Sequence, residues 1–189
     1  MDVLILAAGL GTRMEDLTKD LPKPLLPVKG KLLIDYAFDL IKPLQMENIY
    51  VNTHYHADLV QSHINKNYEN IKISFELEIL GTGGGIKKIH QNDLLVLNTD
   101  NLWQTQFAQE IKSAWDFFQN NKNIDNLLLT KTNNDFHDLE ILHDQSIQFP
   151  SSKCNAQFQG CHFIRQGVLQ DYPEIFNIPS YWNKCSEEK

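Results

Sequence analysis

The chain has 189 residues, 42% of them hydrophobic and 22% charged, which is ordinary for one globular domain of this length. Its net charge of −7 argues against a nucleic-acid partner, because a surface that binds a phosphate backbone needs an excess of basic residues. Residues 1–31 nevertheless carry five basic side chains against four acidic ones, so a small anion could be held there.

The amino-terminal and cysteine patterns both favour a soluble cytoplasmic protein. The first apolar run is short and follows an acidic residue, unlike a signal peptide, and no stretch reaches the length of a membrane helix, so we expect no membrane partner. Cys154, Cys161 and Cys185 are odd in number and lack C-x-x-C spacing, as free thiols in a reducing compartment do. We expect Cys161 and His162 to be core residues rather than metal ligands.

Strand and helix patterns alternate along the chain. Residues 3–6 are continuously apolar and end in small residues, which predicts a strand buried on both faces. In order, the later patterns predict a helix over 32–44, a strand over 49–51, a helix over 58–64, a strand over 71–75, a helix that begins after the glycine cluster 83–85 and runs to 90, a strand over 94–97, a helix over 107–118, a strand over 127–129, an irregular stretch over 135–150 and a strand over 158–164. This alternation predicts an α/β fold, a Rossmann-like open and mostly parallel sheet with helices on both faces.

A glycine-rich loop follows the first predicted strand. Its small residues would let backbone N–H groups approach the oxygens of an anionic ligand. The loop lacks the Gly-Lys-Ser/Thr end of a Walker loop, and Met14 stands where a dinucleotide fingerprint has its third glycine. A tight turn without a ligand is the alternative. Arg13, one of two arginines in the chain, favours phosphate binding because its fork of N–H groups suits phosphate oxygens.

Two further features point to the same edge of the sheet. Pro22, Pro24 and Pro27 predict a stiff, extended path that presents Lys23 at little entropic cost, the alternative being a plain connector with a solvated lysine. Asp100 ends the segment Asn98-Thr99-Asp100 that follows the apolar strand 94–97, at the strand end where ligands bind in open parallel sheets. The alternative role for Asp100 is the N-cap of the next helix.

The glycine loop Leu-Ala-Ala-Gly-Leu-Gly-Thr-Arg-Met, followed by Leu-Pro-Lys-Pro-Leu-Leu-Pro-Val, resembles the sugar nucleotidyltransferase family, the NTP-dependent sugar-1-phosphate transferases. Further matches are Val51-Asn52, Leu80 to Gly84, the strand before Asp100, Phe158-x-Gly160 and Ile178-Pro179-x-x-Trp182. Among subfamilies, the Thr-Gly-Gly-Gly, Phe-x-Gly and Pro-x-x-Trp motifs are most similar to bacterial N-acetylmuramate-1-phosphate uridylyltransferases. The resemblance implies the nucleotide-diphospho-sugar transferase fold.

The resemblance also implies roles for individual residues. Arg13 and Lys23 would contact phosphates, and Asp100 would bind Mg²⁺; these three form the expected catalytic set. Glu76 would contact the base, where a carboxylate could accept the N3–H of uracil. The full set of residues expected to bind nucleotide is Leu6, Ala7, Ala8, Gly9, Gly11, Thr12, Arg13, Lys23, Glu76, Gly81 and Thr82.

The activity implied is Mg²⁺-dependent transfer of a nucleoside monophosphate from an NTP, with UTP expected, to a sugar 1-phosphate, with N-acetylmuramate 1-phosphate as candidate acceptor. The alternatives are a cytidylyltransferase or thymidylyltransferase of the same fold, or a nucleotide-binding paralogue with weak turnover. Relatives continue to a Trp-x-Asp-x-Gly-Thr segment with a second metal carboxylate, which residues 1–189 lack. We therefore expect a single domain that binds nucleotide but turns over slowly, unless a partner subunit supplies the carboxylate. The oligomeric state stays open, a homo-oligomer included.

Overall fold

The computed structural model describes residues 1–132 and 137–187. Within these residues the strands are β1 (Asp2–Leu6), β2 (Pro27–Val28), β3 (Lys31–Leu32), β4 (Ile49–Thr53), β5 (Ile71–Phe75), β6 (Leu94–Asn98), β7 (Asn126–Lys131), β8 (Glu140–Ile141), β9 (Ile147–Gln148) and β10 (Gln157–Ile164). The helices are α1 (Leu33–Ile41), α2 (Ala57–Asn67), α3 (Gly81–Ile89), α4 (Ala108–Asn120) and α5 (Pro179–Glu187). None of these helices is long and apolar enough to cross a bilayer. Part of the predicted irregular stretch, residues 135 and 136, lies outside the described residues.

The six-stranded central sheet has the order β5-β4-β1-β6-β10-β7. Strands β5, β4, β1 and β6 are parallel, whereas β10 is antiparallel to both β6 and β7. After β1 the chain forms β4 and β5 on one side and then returns to form β6 on the other. The border between β1 and β6 is therefore the point where the strand order reverses, which is where open α/β sheets bind ligands.

Apolar side chains cover both faces of this sheet. Val3 and Ile5 of β1 pack in a cluster with α1, α2 and α4, whereas Leu4 between them packs with α3 and α5 on the opposite face. This alternation explains why β1 is apolar at every position from Val3 to Leu6, since both of its faces are buried. The predicted fold class, with a mostly parallel sheet and helices on both faces, is confirmed.

The predicted strands and helices from residue 3 to residue 164 are all present, with bounds that differ by a few residues. The glycine cluster is one difference, because α3 begins at Gly81 and contains the glycines that were expected to precede it. Helix α5 is another, since the sequence pattern did not predict it. Only Tyr181 and Trp182 of α5 are buried, so the helix has too few apolar positions to show a period.

The extended path predicted through residues 22–27 is wrong at its centre. Lys23–Leu25 form one 3-10 turn, in which the Leu26 N–H donates to the Lys23 carbonyl at 3.1 Å. Pro24 fits this turn because its ring fixes φ near −65°, a value that 3-10 and extended backbone share. Lys23 is still held on a stiff segment, because Pro24 and Leu25 are buried.

Candidate active site

A cavity of about 610 Å³ lies at the carboxyl edge of the sheet, between the ends of β1 and β6. All twelve residues predicted for the site line it: Leu6, Ala7, Ala8, Gly9, Gly11, Thr12, Arg13, Lys23, Glu76, Gly81, Thr82 and Asp100. The structure thus brings them together, and their individual roles toward a ligand stay predictions.

The glycine loop forms one wall of the cavity. Within the described residues, the backbone N–H groups of Gly9, Leu10 and Gly11 have no protein acceptor. Gly11 has a φ of +68°, and a Cβ there would lie 2.8 Å from Thr18 Cγ2, so both the backbone conformation and the space require glycine. The Thr18 hydroxyl donates to the Gly11 carbonyl at 3.0 Å and fixes the turn. The loop therefore offers N–H donors that an anionic ligand can accept from.

Lys23 and Asp100 meet across the cavity. Lys23 Nζ lies 2.9 Å from Asp100 Oδ2, although the two residues are 77 positions apart in the chain.

Asp100 is placed by the end of β6, where the hydroxyl of buried Thr99 donates to the Leu6 carbonyl at 2.8 Å. Asp100 does not cap a helix, because the next 3-10 turn has Gln104 at its N-cap and α4 begins at Ala108. The alternative role of Asp100 as a helix N-cap is therefore excluded.

The Asp100 carboxylate is the kind of ligand that Mg²⁺ takes when it arrives with a polyphosphate, and in this structure it is paired with Lys23. Mg²⁺ in phosphate sites commonly takes one or two carboxylates and completes its shell with phosphate oxygens and water. Within the described residues, no group of three or more His, Cys, Asp and Glu side chains is arranged to hold a metal. The two histidines of the His54-Tyr55-His56 segment, a residue type that can bind metals, each lie near a backbone carbonyl oxygen. His54 Nδ1 is 2.9 Å from the Glu76 carbonyl oxygen, and His56 Nε2 is 3.4 Å from the Lys19 carbonyl oxygen.

Glu76 lies at the cavity in an unexpected setting. Glu76 is only 1% exposed, and both of its carboxylate oxygens accept hydrogen bonds from the protein. Oε1 accepts from Asn52 Nδ2 at 2.7 Å, and Oε2 accepts from the Leu80 N–H at 3.0 Å. Direct contact with a base would require one of these bonds to be exchanged, and the predicted base contact stays a prediction.

The start of α3 is capped by a segment from the end of the chain. The Phe176 carbonyl accepts from the N–H groups of Gly83 and Gly84 at 3.0 and 3.1 Å, and Asn177 Oδ1 accepts from the Thr82 N–H at 3.3 Å. A Cβ on Gly83 would collide with the Phe176 ring. The glycine cluster is therefore explained by close packing of this segment on α3.

Eight further residues line the cavity, among them Asn52 and Asn177, which were not predicted as site residues. Asn52 is the last residue but one of β4, at the same edge of the sheet as Asp100, so the rule that singled out Asp100 could have found it too. Asn177 lies between β10 and α5, where no local pattern marks it, and only the folded chain brings it to α3.

The fold and the cavity define an α/β enzyme whose site suits a phosphate-bearing ligand. The sequence matches the profile of the Nucleotidyl transferase family over residues 2–135. The chain belongs to this family and is a nucleotidyltransferase of the sugar-1-phosphate group. The match confirms the resemblance seen in the sequence motifs.

Two relatives illustrate the range of the family. The chain is 31% identical to N-acetylmuramate alpha-1-phosphate uridylyltransferase of Caulobacter vibrioides, over 98% of this chain and 84% of the relative. It is 32% identical to D-glycero-alpha-D-manno-heptose 1-phosphate guanylyltransferase of Campylobacter jejuni, over 58% of this chain and 52% of that enzyme. The second match thus spans about half of the relative's length.

Solved structures share the fold. HddC from Yersinia pseudotuberculosis superposes with a TM-score of 0.72 at 25% identity, covering 94% of this chain and 83% of that one. The inositol-1-phosphate CTP transferase from T. maritima has a TM-score of 0.77 at 14% identity, covering 100% of this chain and 82% of that one. At that identity the second likeness shows the fold alone.

Proposed function

We propose that this chain transfers a uridylyl group from UTP to N-acetylmuramate 1-phosphate, forming the UDP-sugar and pyrophosphate. The observation that carries this proposal is the relative of that activity, which is 31% identical to this chain over 98% of its length. The cavity supports it through the Lys23–Asp100 pair and the donor-rich loop, which suit a polyphosphate.

The reaction needs no protein nucleophile. An oxygen of the sugar phosphate attacks the α-phosphorus of UTP, the bond from that phosphorus to the bridging oxygen breaks, and pyrophosphate leaves with the electron pair. The protein contributes position and charge: Arg13 and Lys23 would neutralise phosphate oxygens, and the loop N–H groups would donate to them. Asp100 would hold a Mg²⁺ ion, which when bound neutralises further charge on the phosphates.

Lys23 has two roles in this scheme. In the structure it is paired with Asp100, so it would have to turn toward phosphate oxygens when nucleotide and Mg²⁺ bind. The pair is partly exposed, with side-chain exposures of 29% and 46%, and such a pair contributes only about 0–1 kcal/mol. Exchanging Lys23 from carboxylate to phosphate therefore costs little.

The test is a matrix of pyrophosphate-release assays. UTP, CTP, dTTP and GTP are each combined with N-acetylmuramate 1-phosphate, N-acetylglucosamine 1-phosphate, glucose 1-phosphate and a heptose 1-phosphate, with Mg²⁺ or with EDTA. We expect the fastest release from UTP with N-acetylmuramate 1-phosphate, and none with EDTA. The variant Lys23→Ala, purified in parallel, controls for a contaminating enzyme.

The guanylyltransferase relative makes GTP with a heptose 1-phosphate the second candidate reaction. If that combination is the fastest in the matrix, the uridylyl assignment is wrong although the class of enzyme stands. If no combination releases pyrophosphate while the chain binds nucleotide, the chain is the weak paralogue that the sequence left as an alternative.

A further inference from the structure

We infer that Asn52 and Glu76 are positioning residues that lock the two nucleotide-facing loops of the site to each other, an inference that rests on the proposed function for its kinetic readout. The Ala7 N–H donates to Asn52 Oδ1 at 2.7 Å, Asn52 Nδ2 donates to Glu76 Oε1 at 2.7 Å, and the Leu80 N–H donates to Glu76 Oε2 at 3.0 Å. This chain of three hydrogen bonds is called the Asn52–Glu76 bridge below.

The bridge joins two loops that lie just beyond the carboxyl ends of β1 and β5, each of which is paired with β4. Ala7 is the first residue beyond β1 and begins the glycine loop, whereas Leu80 immediately precedes α3 and the cavity residues Gly81 and Thr82. Between them, Asn52 lies on β4, which pairs with both β1 and β5. The bridge thus fixes the distance between the two walls against which the nucleotide is proposed to lie.

Burial argues that the bridge is more than ordinary packing. Asn52 is 2% exposed and Glu76 1% exposed, and the two groups that donate to the carboxylate, Asn52 Nδ2 and the Leu80 N–H, are both neutral. A buried carboxylate costs more than an apolar side chain of the same size unless its oxygens are satisfied. Helix α3 also makes room for it, because a Cβ on Gly85 would lie 2.8 Å from Asn52 Nδ2 and 2.9 Å from Glu76 Oε1. The carboxylate therefore sits in a place shaped around it.

Each hydrogen bond of the bridge has one donor and one acceptor, so substitutions that exchange donor and acceptor groups test whether the bridge matters. In Glu76→Gln, the new amide oxygen can accept from only one of the two neighbours, and the N–H₂ group must then face the other donor, either the Leu80 N–H or Asn52 Nδ2. In Asn52→Asp, two carboxylate oxygens face each other. In the double variant Asn52→Asp with Glu76→Gln, the new carboxylate accepts from the Ala7 N–H and from the new amide, whose oxygen accepts from the Leu80 N–H. All three hydrogen bonds are then restored, and the negative charge lies at residue 52 instead of residue 76.

We expect each single variant to lower kcat/KM about 10- to 100-fold, as the loss of a buried charged hydrogen bond does. The loss should be equal for UTP and CTP, and the double variant should regain most of it. Glu78→Gln, an exposed glutamate two residues further along the same loop, serves as the matched control and should keep the native rate. Hydrogen exchange of the Ala7 and Leu80 amides should speed up in the single variants and slow again in the double variant.

Two results would overturn the inference. If Glu76→Gln changes the UTP-to-CTP ratio tenfold and the double variant recovers nothing, Glu76 contacts the base directly. If both single variants keep native kinetics and native exchange, the bridge positions nothing. Failure of the proposed function would give a different result, because no sugar 1-phosphate would then support turnover in the native chain. The Ala7 and Leu80 amides would still lose protection from hydrogen exchange in the single variants and regain it in the double variant.

Discussion

The chain's two arginines show how residues of one type serve different ends. Arg165 Nη1 lies 2.6 Å from Asp93 Oδ2, Nη2 donates to the Phe118 carbonyl at 2.8 Å, and the guanidinium lies 3.7 Å from the centre of the Phe118 ring. Burial would raise the pKa of Asp93, but the Gln166 N–H, the Gln119 amide and Arg165 outweigh it and hold that pKa below its ordinary value. Arg165 is thus a structural residue.

Arg13 has the opposite setting. It is exposed at the cavity, and its guanidinium has no hydrogen bond or ion pair within the described residues. A guanidinium held at a cavity with its donors unused is available to a ligand, and its fork geometry suits phosphate.

Arg13→Ala and Lys23→Ala should each weaken UTP binding by about 1.5–3 kcal/mol, the range for a lost hydrogen bond to a charged group. Isothermal titration calorimetry in the presence of Mg²⁺ measures this directly. Lys66→Ala, an exposed lysine on α2, is the control and should bind as the native chain does. Folded variants of Arg13 and Lys23 with native affinity would refute the placement of the phosphates.

Asp100→Asn should remove most Mg²⁺-dependent turnover, because the neutral amide cannot fix the ion where charge develops; such a loss is on the order of 10²–10³ in rate. The fold should survive, since the Asp100 side chain is 46% exposed and lies two residues beyond β6 rather than in the core. Pyrophosphate release across a Mg²⁺ titration and the thermal midpoint are the two measurements. Asp116→Asn on the exposed face of α4 is the control. Unchanged turnover in Asp100→Asn would remove the residue from the metal site.

At the scale of elements, the site depends on how closely the segment 174–178 packs on α3. The Phe176 N–H donates to the Leu80 carbonyl at 3.0 Å, and the Phe176 carbonyl accepts from two N–H groups of the helix start. Unpaired N–H groups at a helix start need acceptors, and here a distant part of the chain supplies them. The packing therefore ties Leu80 and the start of α3 to the residues before α5.

Gly84→Ala should destabilise the protein, because a Cβ at this position would collide with the Glu174 carbonyl oxygen, a backbone atom that cannot move alone. Alanine gains about 1 kcal/mol over glycine in a helix, but overpacking costs more, and we expect a net loss of about 2 kcal/mol in the free energy of unfolding. Urea unfolding gives this value.

Gly9→Ala is the matched comparison, since a Cβ there has nothing within 4 Å. We expect Gly9→Ala to keep native stability but to weaken UTP binding, because the added methyl group occupies the cavity wall. Equal stability losses in the two variants would contradict this account of the glycine cluster.

At the scale of the whole molecule, the sequence predicts what depends on local patterning and misses what depends on distant contacts. Val3 to Ile5 and the apolar run before Asp100 predict central strands because both faces of such strands are buried. The class of enzyme and the cavity residues follow from motifs at the ends of these strands. The helix containing Trp182 could not be predicted, since its packing against Phe158 and its hydrogen bond to Asn126 come from β10 and β7.

A buried histidine on the face covered by α3 and α5 links the fold to pH. His162 is 2% exposed, its Nδ1 lies 2.9 Å from Asn126 Nδ2, and the Trp182 ring stands perpendicular to it. Because Asn126 Nδ2 can only donate, His162 Nδ1 accepts and the ring is neutral. Burial, aided by repulsion from His90, lowers the pKa of His162 from 6.5 to about 3.

This shift predicts that the protein loses stability in acid. Between pH 6.5 and about 3 the unfolded chain binds a proton at His162 that the folded chain excludes, so the stability is complete above pH 6.5 and falls as the pH drops. One such group contributes a slope of at most about 1.4 kcal/mol per pH unit. In His162→Gln, the amide oxygen can still accept from Asn126, but nothing titrates. We therefore expect this variant to be less stable at pH 7.5 and to show a flatter decline between pH 6.5 and 4.5 in urea unfolding. Exposed His143→Gln should follow the native curve. If all three proteins lose stability at the same rate over that range, His162 is not the residue that excludes the proton.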